Sequence, residues 1–436
     1  MSTPTPPDYT EFLQRLVARI TSAGGAAVQS PYDGAPAAVA DALEAAVVDA
    51  GDDLVALSHD IHAHPELGYA EHHAAAAVAA FLRDRGHEVT APAYGLDTAV
   101  HARAGEGRPR VAFLAEYDAL PGIGHACGHN VICTTAVGGF LAAAAVVSQV
   151  GGSVELIGTP AEEGGGGKEV IARAGGFDEV DAAVMLHPFF ADIASHPFIG
   201  VRTVEAVFTG MSTHASAMPF LGRNALDAAV QAYTGIAQLR QHMLPTDRVH
   251  GIFTDGGQKP NIVPERAAVE FYVRSAEPST LAELCRRVDA IFEGAAAQAG
   301  CGVEVTWDVT PVYLPTRLNG PLTNRYAVNA ARRGRQLLPP DVVPAAMTGS
   351  TDLGNVSVRV PAIHPMIGVA PFGVSLHTPE FEGHAASPAA DAAVVDGAVA
   401  LGLTALDYLA DEGLRRAVAD DFDAAGGRMD VEAVYP

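Results

Sequence analysis

From Val131 to Val150 nearly every residue is apolar or small, and the stretch is bracketed by two short apolar runs, Arg110–Ala115 and Ser153–Ile157. Parallel strands buried on both faces read as continuous apolar runs, and joining two of them takes a crossover of a dozen or more residues. The reading is strand, buried helix over 131–148, strand, which commits this part of the chain to an α/β sheet covered by helices. The same segment is long enough to span a bilayer. It holds Thr134, Thr135, Ser148 and Gln149 and lacks flanking basic anchors, so a core helix is expected and no membrane partner.

The flanking pattern extends that unit. Leu43, Val47, Leu54, Leu57 and Ile61 form a stripe at helical spacing, which predicts a helix over 37–64. A second helix is expected over 71–85, then a strand at 87–89, a turn-rich stretch, and a further strand at 181–186. From Val201 the pattern changes to a strand at 203–208, a helix at 224–242, strands near 249–253 and 266–274, and a helix at 279–298. This predicts a smaller α+β lid or dimerisation domain, residues 201–311, inserted between catalytic halves 1–200 and 312–436. With 436 residues, the chain exceeds what one core usually serves. After Pro311, helices are expected at 322–335 and 386–411. No internal repeat is visible.

A formal net charge of −24 with no basic patch argues against a nucleic-acid partner. Four cysteines, Cys127, Cys133, Cys285 and Cys301, are too sparse for a disulfide scaffold and suit a reducing compartment. Met1–Pro7 has no basic segment leading into an apolar run, so a cytoplasmic location is expected.

The chemistry concentrates where the crossover begins. In Gly124-His125-Ala126-Cys127-Gly128-His129-Asn130 a thiol and an imidazole stand two residues apart in a glycine-bounded turn. Asp118 and Glu162-Glu163 fall beyond the carboxyl ends of strands, where open α/β sheets gather their ligands, and His187 stands in the same relation to the next strand. Cys, His and carboxylate suit a first-row metal and a base for its water, so a metal-dependent hydrolase is the reading. Plainer readings exist for each residue: Cys127 as a small buried hydrophobe, Glu162-Glu163 as a solvated pair, His187 as a loop histidine. Gly164–Gly167 weighs against a solvated pair, because glycines let backbone approach closely beside a sheet. His125 is expected to be structural.

Five segments carry a resemblance: Leu57–Leu67, Glu116–Pro121, Gly124–Asn130, Pro160–Gly164 and Ser375–Phe381. Together they resemble the dinuclear metallopeptidase family that contains aminoacylase and carboxypeptidase G, and within it the amidohydrolases of aminobenzoyl-glutamate, indole-acetyl-amino acids and β-alanyl-lysine. The resemblance runs from Asp49 to Leu409. It implies two divalent ions, Zn2+ or Mn2+, held by Cys127, His129, Glu163, His187 and His377, with Cys127 bridging.

The resemblance makes Glu162 the general base and His214 the histidine that polarises the scissile carbonyl, commonly from across a dimer interface. It makes Asn261 and Arg274 substrate-binding, and it has Tyr117 and Asp118 order the metal shell by hydrogen bonding. Gly349–Asp352 resembles a loop bordering the pocket, and a helix N-cap at Ser350 or Thr351 reads equally well. The family's usual metal-binding His is replaced by Glu116. A homodimer acting on a small amide is implied: an N-acyl amino acid, an aminobenzoyl-glutamate-like conjugate or an unusual dipeptide. The rival readings are a catalytically silent binding protein that kept the fold and a mononuclear deacylase.

Overall fold

The computed structural model describes residues 10–22, 28–340, 342–345 and 348–435. Met1–Pro7, on which the reading of no leader rests, lies outside them. The chain opens with helices α1 (Thr10–Ser22), α2 (Ala37–Asp49), α3 (Gly51–Ala63) and α4 (His72–Arg83). The single helix predicted over 37–64 is therefore two. Gly51 stands at the break, where a glycine weakens a helix by about 1 kcal/mol. Each half buries its own part of the stripe, Leu43 and Val47 on α2, and Leu54, Leu57 and Ile61 on α3.

Next come β1 (Val89–Thr90), β2 (Val100–Glu106), β3 (Arg110–Ala115), α5 (His129–Val146), β4 (Gly152–Gly158), α6 (Gly167–Arg173), β5 (Ala182–Val184) and β6 (His187–Phe189). The crossover β3–α5–β4 forms as the apolar pattern dictates, and β3 and β4 pair in parallel. β2 lies within the stretch read as turns, where small Ala102 and Ala104 give little contrast with their polar neighbours. Its antiparallel pairing with β4, from Val100↔Gly158 to Glu106↔Gly152, holds it in place. The strand expected over 181–186 ends at Val184. His187 instead begins β6, which pairs outside the central sheet.

The smaller unit comprises β7 (Gly200–Thr209), α7 (Ala225–Leu239), β8 (Arg248–Asp255), β9 (Arg266–Ser275), α8 (Pro278–Ala299) and β10 (Gly302–Trp307). β10 has no counterpart among the elements expected from the sequence pattern. The chain returns through α9 (Gly320–Arg332), α10 (Leu353–Ser357), β11 (Ala362–Ile363), β12 (Met366–Gly368), α11 (Pro379–His384), α12 (Pro388–Ala410), α13 (Glu412–Ala424) and α14 (Val431–Val434).

The central sheet is mixed, in the order β1-β2-β4-β3-β5-β11, with β4, β3, β5 and β11 mutually parallel. Helices α5 and α12 cover one of its faces through a shared core that includes Phe113, Val137, Phe140 and Leu401. Gly138 and Gly139 permit this close approach, since a Cβ at Gly138 would lie 2.9 Å from Ala398 Cβ. The segments His129–Gln149 and Pro388–Ala410 are each long and apolar enough to cross a membrane, and 78% and 72% of their most apolar 18-residue stretches are buried within the fold. The antiparallel second sheet runs β10-β7-β9-β8, with β8 at an edge. It packs on α7 and α8 through Phe208, Phe271, Val288 and Phe292. β6 and β12 form a separate parallel pair.

Candidate metal centre

Three parallel strands deliver the candidate ligands to one place. β3 runs into Glu116-Tyr117-Asp118, β4 into the loop 159–166, and β5 toward His187, all beyond carboxyl ends. His129 is the first residue of α5, preceded by Gly128 at φ +76°. A Cβ on Gly128 would lie 2.6 Å from Pro188 Cγ, so only glycine lets the turn close onto the His187 segment.

The imidazoles are oriented by groups that can only accept. His129 Nδ1 donates to Asp118 Oδ1 at 3.0 Å, and His187 Nδ1 donates to the Pro188 carbonyl at 2.7 Å. Each Nε2 is thereby left to face inward as a lone pair when the ring is neutral. His129 Nε2 is buried with no hydrogen-bond partner among the described residues, with Glu116 at 3.6 Å and Glu162 at 3.9 Å, and His187 Nε2 lies 3.4 Å from Cys127 Sγ. Asp118 also accepts from the Glu163 backbone N–H at 2.9 Å, so one carboxylate fixes two candidate ligands. His377 stands in the left-handed region at φ +62°, a conformation that costs a non-glycine residue on the order of 1 kcal/mol. Its N–H is tied to the Ala126 carbonyl at 2.9 Å, and its Nε2 lies 3.0 Å from Glu163 Oε1.

Among the groups of ligand atoms that lie within 4.8 Å of one another, which also include His129, Glu162 and Glu163, two are built on Cys127: Cys127, His129 and His187, and Cys127, Glu163 and His377. They share the sulfur. This donor set and the orphaned His129 nitrogen fit a pair of cations. Burial, and next the neighbouring Glu163, pushes the Cys127 thiol well above its ordinary value, which cations beside it would reverse. Burial lowers His187 to about 3, so its ring is neutral. Glu162, buried and beside Glu116 and Glu163, is held well above the usual carboxylate range. In Glu163 burial acts upward too, but the hydrogen bond from His377 and the charge of His129 bring it below its ordinary value.

The carboxylates of Glu162 and Glu163 are aimed by a clamped loop. Ala161 takes φ +59°, and its N–H donates to Glu71 at 2.8 Å. The Tyr313 hydroxyl donates to the Glu162 carbonyl at 2.5 Å and accepts from Gly166 N–H at 2.9 Å. A Cβ at Gly167 would sit 1.8 Å from the Pro160 carbonyl oxygen, which accounts for the glycine run.

A cavity of about 1230 Å³ opens here, lined by Cys127, Glu162, Glu163, His187 and His377 at one end and by Arg274 and Gly349–Thr351 on another wall. Of the two readings of 349–352, the loop does border the cavity, with Ser350 accepting from Arg274 Nη1 at 2.7 Å, whereas the residue that caps α10 is Asp352 rather than Ser350 or Thr351; its carboxylate goes to Lys168 and makes no capping bond, and Thr351 Oγ1 accepts from Leu353 N–H. His214 and Asn261 are not brought to this cavity. They are exposed and lie together, His214 bridging Ile262 and the Asn261 carbonyl accepting from Ala215 N–H.

Residues 112–413 match the peptidase family M20/M25/M40. The chain belongs to that family. It is 37% identical to a mouse Xaa-Arg dipeptidase over 86% of this chain and 90% of that one. It is 30% identical to one of the polypeptides of the p-aminobenzoyl-glutamate hydrolase of Escherichia coli K12, over 82% and 89%. A Bacillus subtilis structure described as a dinuclear metal-binding peptidase of the M20 family superposes with a TM-score of 0.61 at 23% identity, over 81% of this chain and 98% of that one. That last likeness bears on the fold alone. As a member of the M20 peptidases the chain is a metal-dependent hydrolase of amide or peptide bonds.

In this M20 peptidase the position of the usual histidine has a different use. Glu116 receives the fully buried Lys168 ammonium at 2.5 Å, and Asp352 receives it equally closely. Lys168, Glu71 and Tyr313 are absent from the residues that the sequence pattern singles out. Their one legible trace is a lysine directly after four glycines. Tyr117 does not order the metal shell: its hydroxyl donates to the Thr98 carbonyl and its ring sits in the main core. His125 is buried and stacks near His62 at 6.1 Å, outside both ligand groups.

Proposed function

We propose that this M20 peptidase cleaves the amide bond of a small N-acyl amino acid, an aminobenzoyl-glutamate-like conjugate or an unusual dipeptide, with Glu162 as general base. The observation that carries this reading is that two sets of ligand-capable side chains share Cys127, and Glu162 stands beside them facing the cavity. Cys127, His129 and His187 would hold one ion, and Cys127, Glu163 and His377 the other. Zinc suits the sulfur and imidazole donors, manganese the carboxylate side. Such ions supply Lewis acidity and acidify water. Glu162 takes the proton of the attacking water and hands it to the leaving amine. Asp118 keeps His129 and the Glu163 backbone in register. Arg274 receives the carboxylate of the amine half, which a guanidinium fork suits. The rings of Phe190 and Phe372, 4.8 Å apart on the cavity wall, offer the acyl half an apolar face.

His214 and Asn261 complete the site from a second copy of the chain, through residues 201–311 acting as lid and dimerisation domain. Around His214 the surface is apolar, with Met211 57% and Phe220 75% exposed and Met218 and Leu221 beside them. The edge strand β8 exposes Ile252 and Phe253. Patches of this kind mark interfaces. Four free cysteines support a cytoplasmic location.

Glu162→Gln tests the assignment of the base. Metal content by elemental analysis should stay at the wild-type level while kcat falls by about a thousandfold. Undiminished turnover with metal bound would remove Glu162 from the mechanism.

A further inference from the structure

Two carboxylates stand almost equally close to the nitrogen that His129 turns inward. Glu116 Oε2 lies 3.6 Å from His129 Nε2, and Glu162 Oε2 lies 3.9 Å from it. Asp352 completes a trio: one oxygen from each of Glu116, Glu162 and Asp352 lies within 4.8 Å of the others, and all three residues are buried. Of the three, Glu162 lines the cavity, so it is the one placed to meet water or an amide there. Carboxylates packed this closely away from solvent repel one another, and any of them can ligate a cation.

Lys168 decides which of the three stays free. It is the second residue of α6, directly after the glycine run that follows Glu162 and Glu163. Its fully buried ammonium donates at 2.5 Å to Glu116 Oε1 and at 2.5 Å to Asp352 Oδ1, and its backbone N–H donates to Asp352 Oδ2 at 3.0 Å. Among the described residues no bond joins it to Glu162. Burial acts to lower its pKa, but the charges of Asp352 and Glu116 hold it above the ordinary value, so the ammonium stays charged. Stability alone does not account for the arrangement, because apolar side chains of similar volume often serve a core as well as a buried ion cluster does.

We infer that Lys168 is a positioning residue for hydrolysis: an internal cation that ties up Glu116 and Asp352, keeps both from the ion beside His129, and leaves Glu162 as the one carboxylate free to act on water. Charge-assisted bonds of this kind fix a carboxylate in direction as well as in place. With the ammonium gone, Glu116 is the nearer rival of Glu162 at His129. The inference rests on the reading of Glu162 as general base, and it names the residue that keeps that base available.

The test compares Lys168→Met, near-isosteric and uncharged, with the double variant Lys168→Met/Glu116→Gln, which removes a negative charge together with the positive one. The substrate is whichever of N-acyl amino acids, aminobenzoyl-glutamate and dipeptides the metal-loaded wild type turns over fastest. In Lys168→Met, kcat should fall by on the order of a hundredfold with KM near the wild-type value, and elemental analysis should find no less metal than in wild type. The double variant should recover about tenfold or more of the lost kcat, because Glu116 no longer competes, whereas a merely structural tie would stay broken. Should Lys168→Met fail to fold, the double variant decides alone: kcat within about tenfold of wild type supports the inference, and a larger deficit in folded, metal-loaded protein overturns it. Undiminished kcat in Lys168→Met overturns it, as does loss of metal from that variant, or a double variant no faster than the single. Glu162→Gln is measured alongside. Full turnover there sinks the base assignment and the inference with it, while a slow Glu162→Gln beside an unimpaired Lys168→Met sinks the inference alone.

Discussion

The two regions from which the resemblance draws its active residues are built in opposite ways. In the central domain, Cys127, His129, His187 and Asp118 are buried, and the outer nitrogens of His129 and His187 are already engaged. Beside the second sheet, His214 and Asn261 sit exposed on two bridged loops among apolar, uncovered side chains. His214 Nδ1 has only long contacts among the described residues, from the Ser216 and Ala217 backbone N–H groups at 3.3 Å each and the Ser216 hydroxyl at 3.4 Å. The first region is organised by its own chain. The second has the form of a surface completed by something else.

The sharpest way to break this contrast is at the shared sulfur. Cys127→Ala should lose both ions and reduce kcat/KM by more than about a thousandfold, while His187→Ala should lose chiefly one. Elemental analysis of the dialysed proteins separates these outcomes. Full metal occupancy in Cys127→Ala would mean that the buried region is not a joint site.

A smaller effect is expected in the exposed region. His214→Ala should lower kcat by about a hundredfold, typical for one oxyanion donor, with metal content unchanged. If the histidine acts across a dimer, mixing His214→Ala with Glu162→Gln protomers should restore activity to about a quarter of wild type, since half the random dimers would then hold one intact site. No recovery on mixing, with exchange of protomers demonstrated, would place His214 in its own chain's cavity after a closing motion.

The smallest effect belongs to a residue inside the buried region but outside its chemistry. Tyr117→Phe should cost about 1 kcal/mol of stability through the lost bond to Thr98, measured by denaturant unfolding. Its metal affinity and kcat should match wild type. A change in metal affinity would restore Tyr117 to the shell around the ions.

What could be read from the chain follows the same divide. β3, α5 and β4 were legible because their apolar runs are local and strong. The turn around Cys127 was legible because its ligand types are rare and closely spaced. β2 was not, since its small alternating residues acquire meaning only against β4. Lys168, Glu71 and Tyr313 escaped because each meets its site partners from 52, 90 and 151 residues away in sequence, and no spacing rule encodes such pairings. The break at Ala50 and the early end of β5 at Val184 are tertiary choices that a helical stripe and an apolar run leave open.

The claim on which the rest depends is that Cys127 lies between two cations. A crystal structure of the metal-loaded protein with anomalous scattering collected at the metal edge addresses it directly. The expected result is two peaks flanking Cys127 Sγ at about 2.3 Å for zinc, one beside His129 and His187 and the other beside Glu163 and His377. A single peak, or a pair that leaves the sulfur uncoordinated, would contradict it.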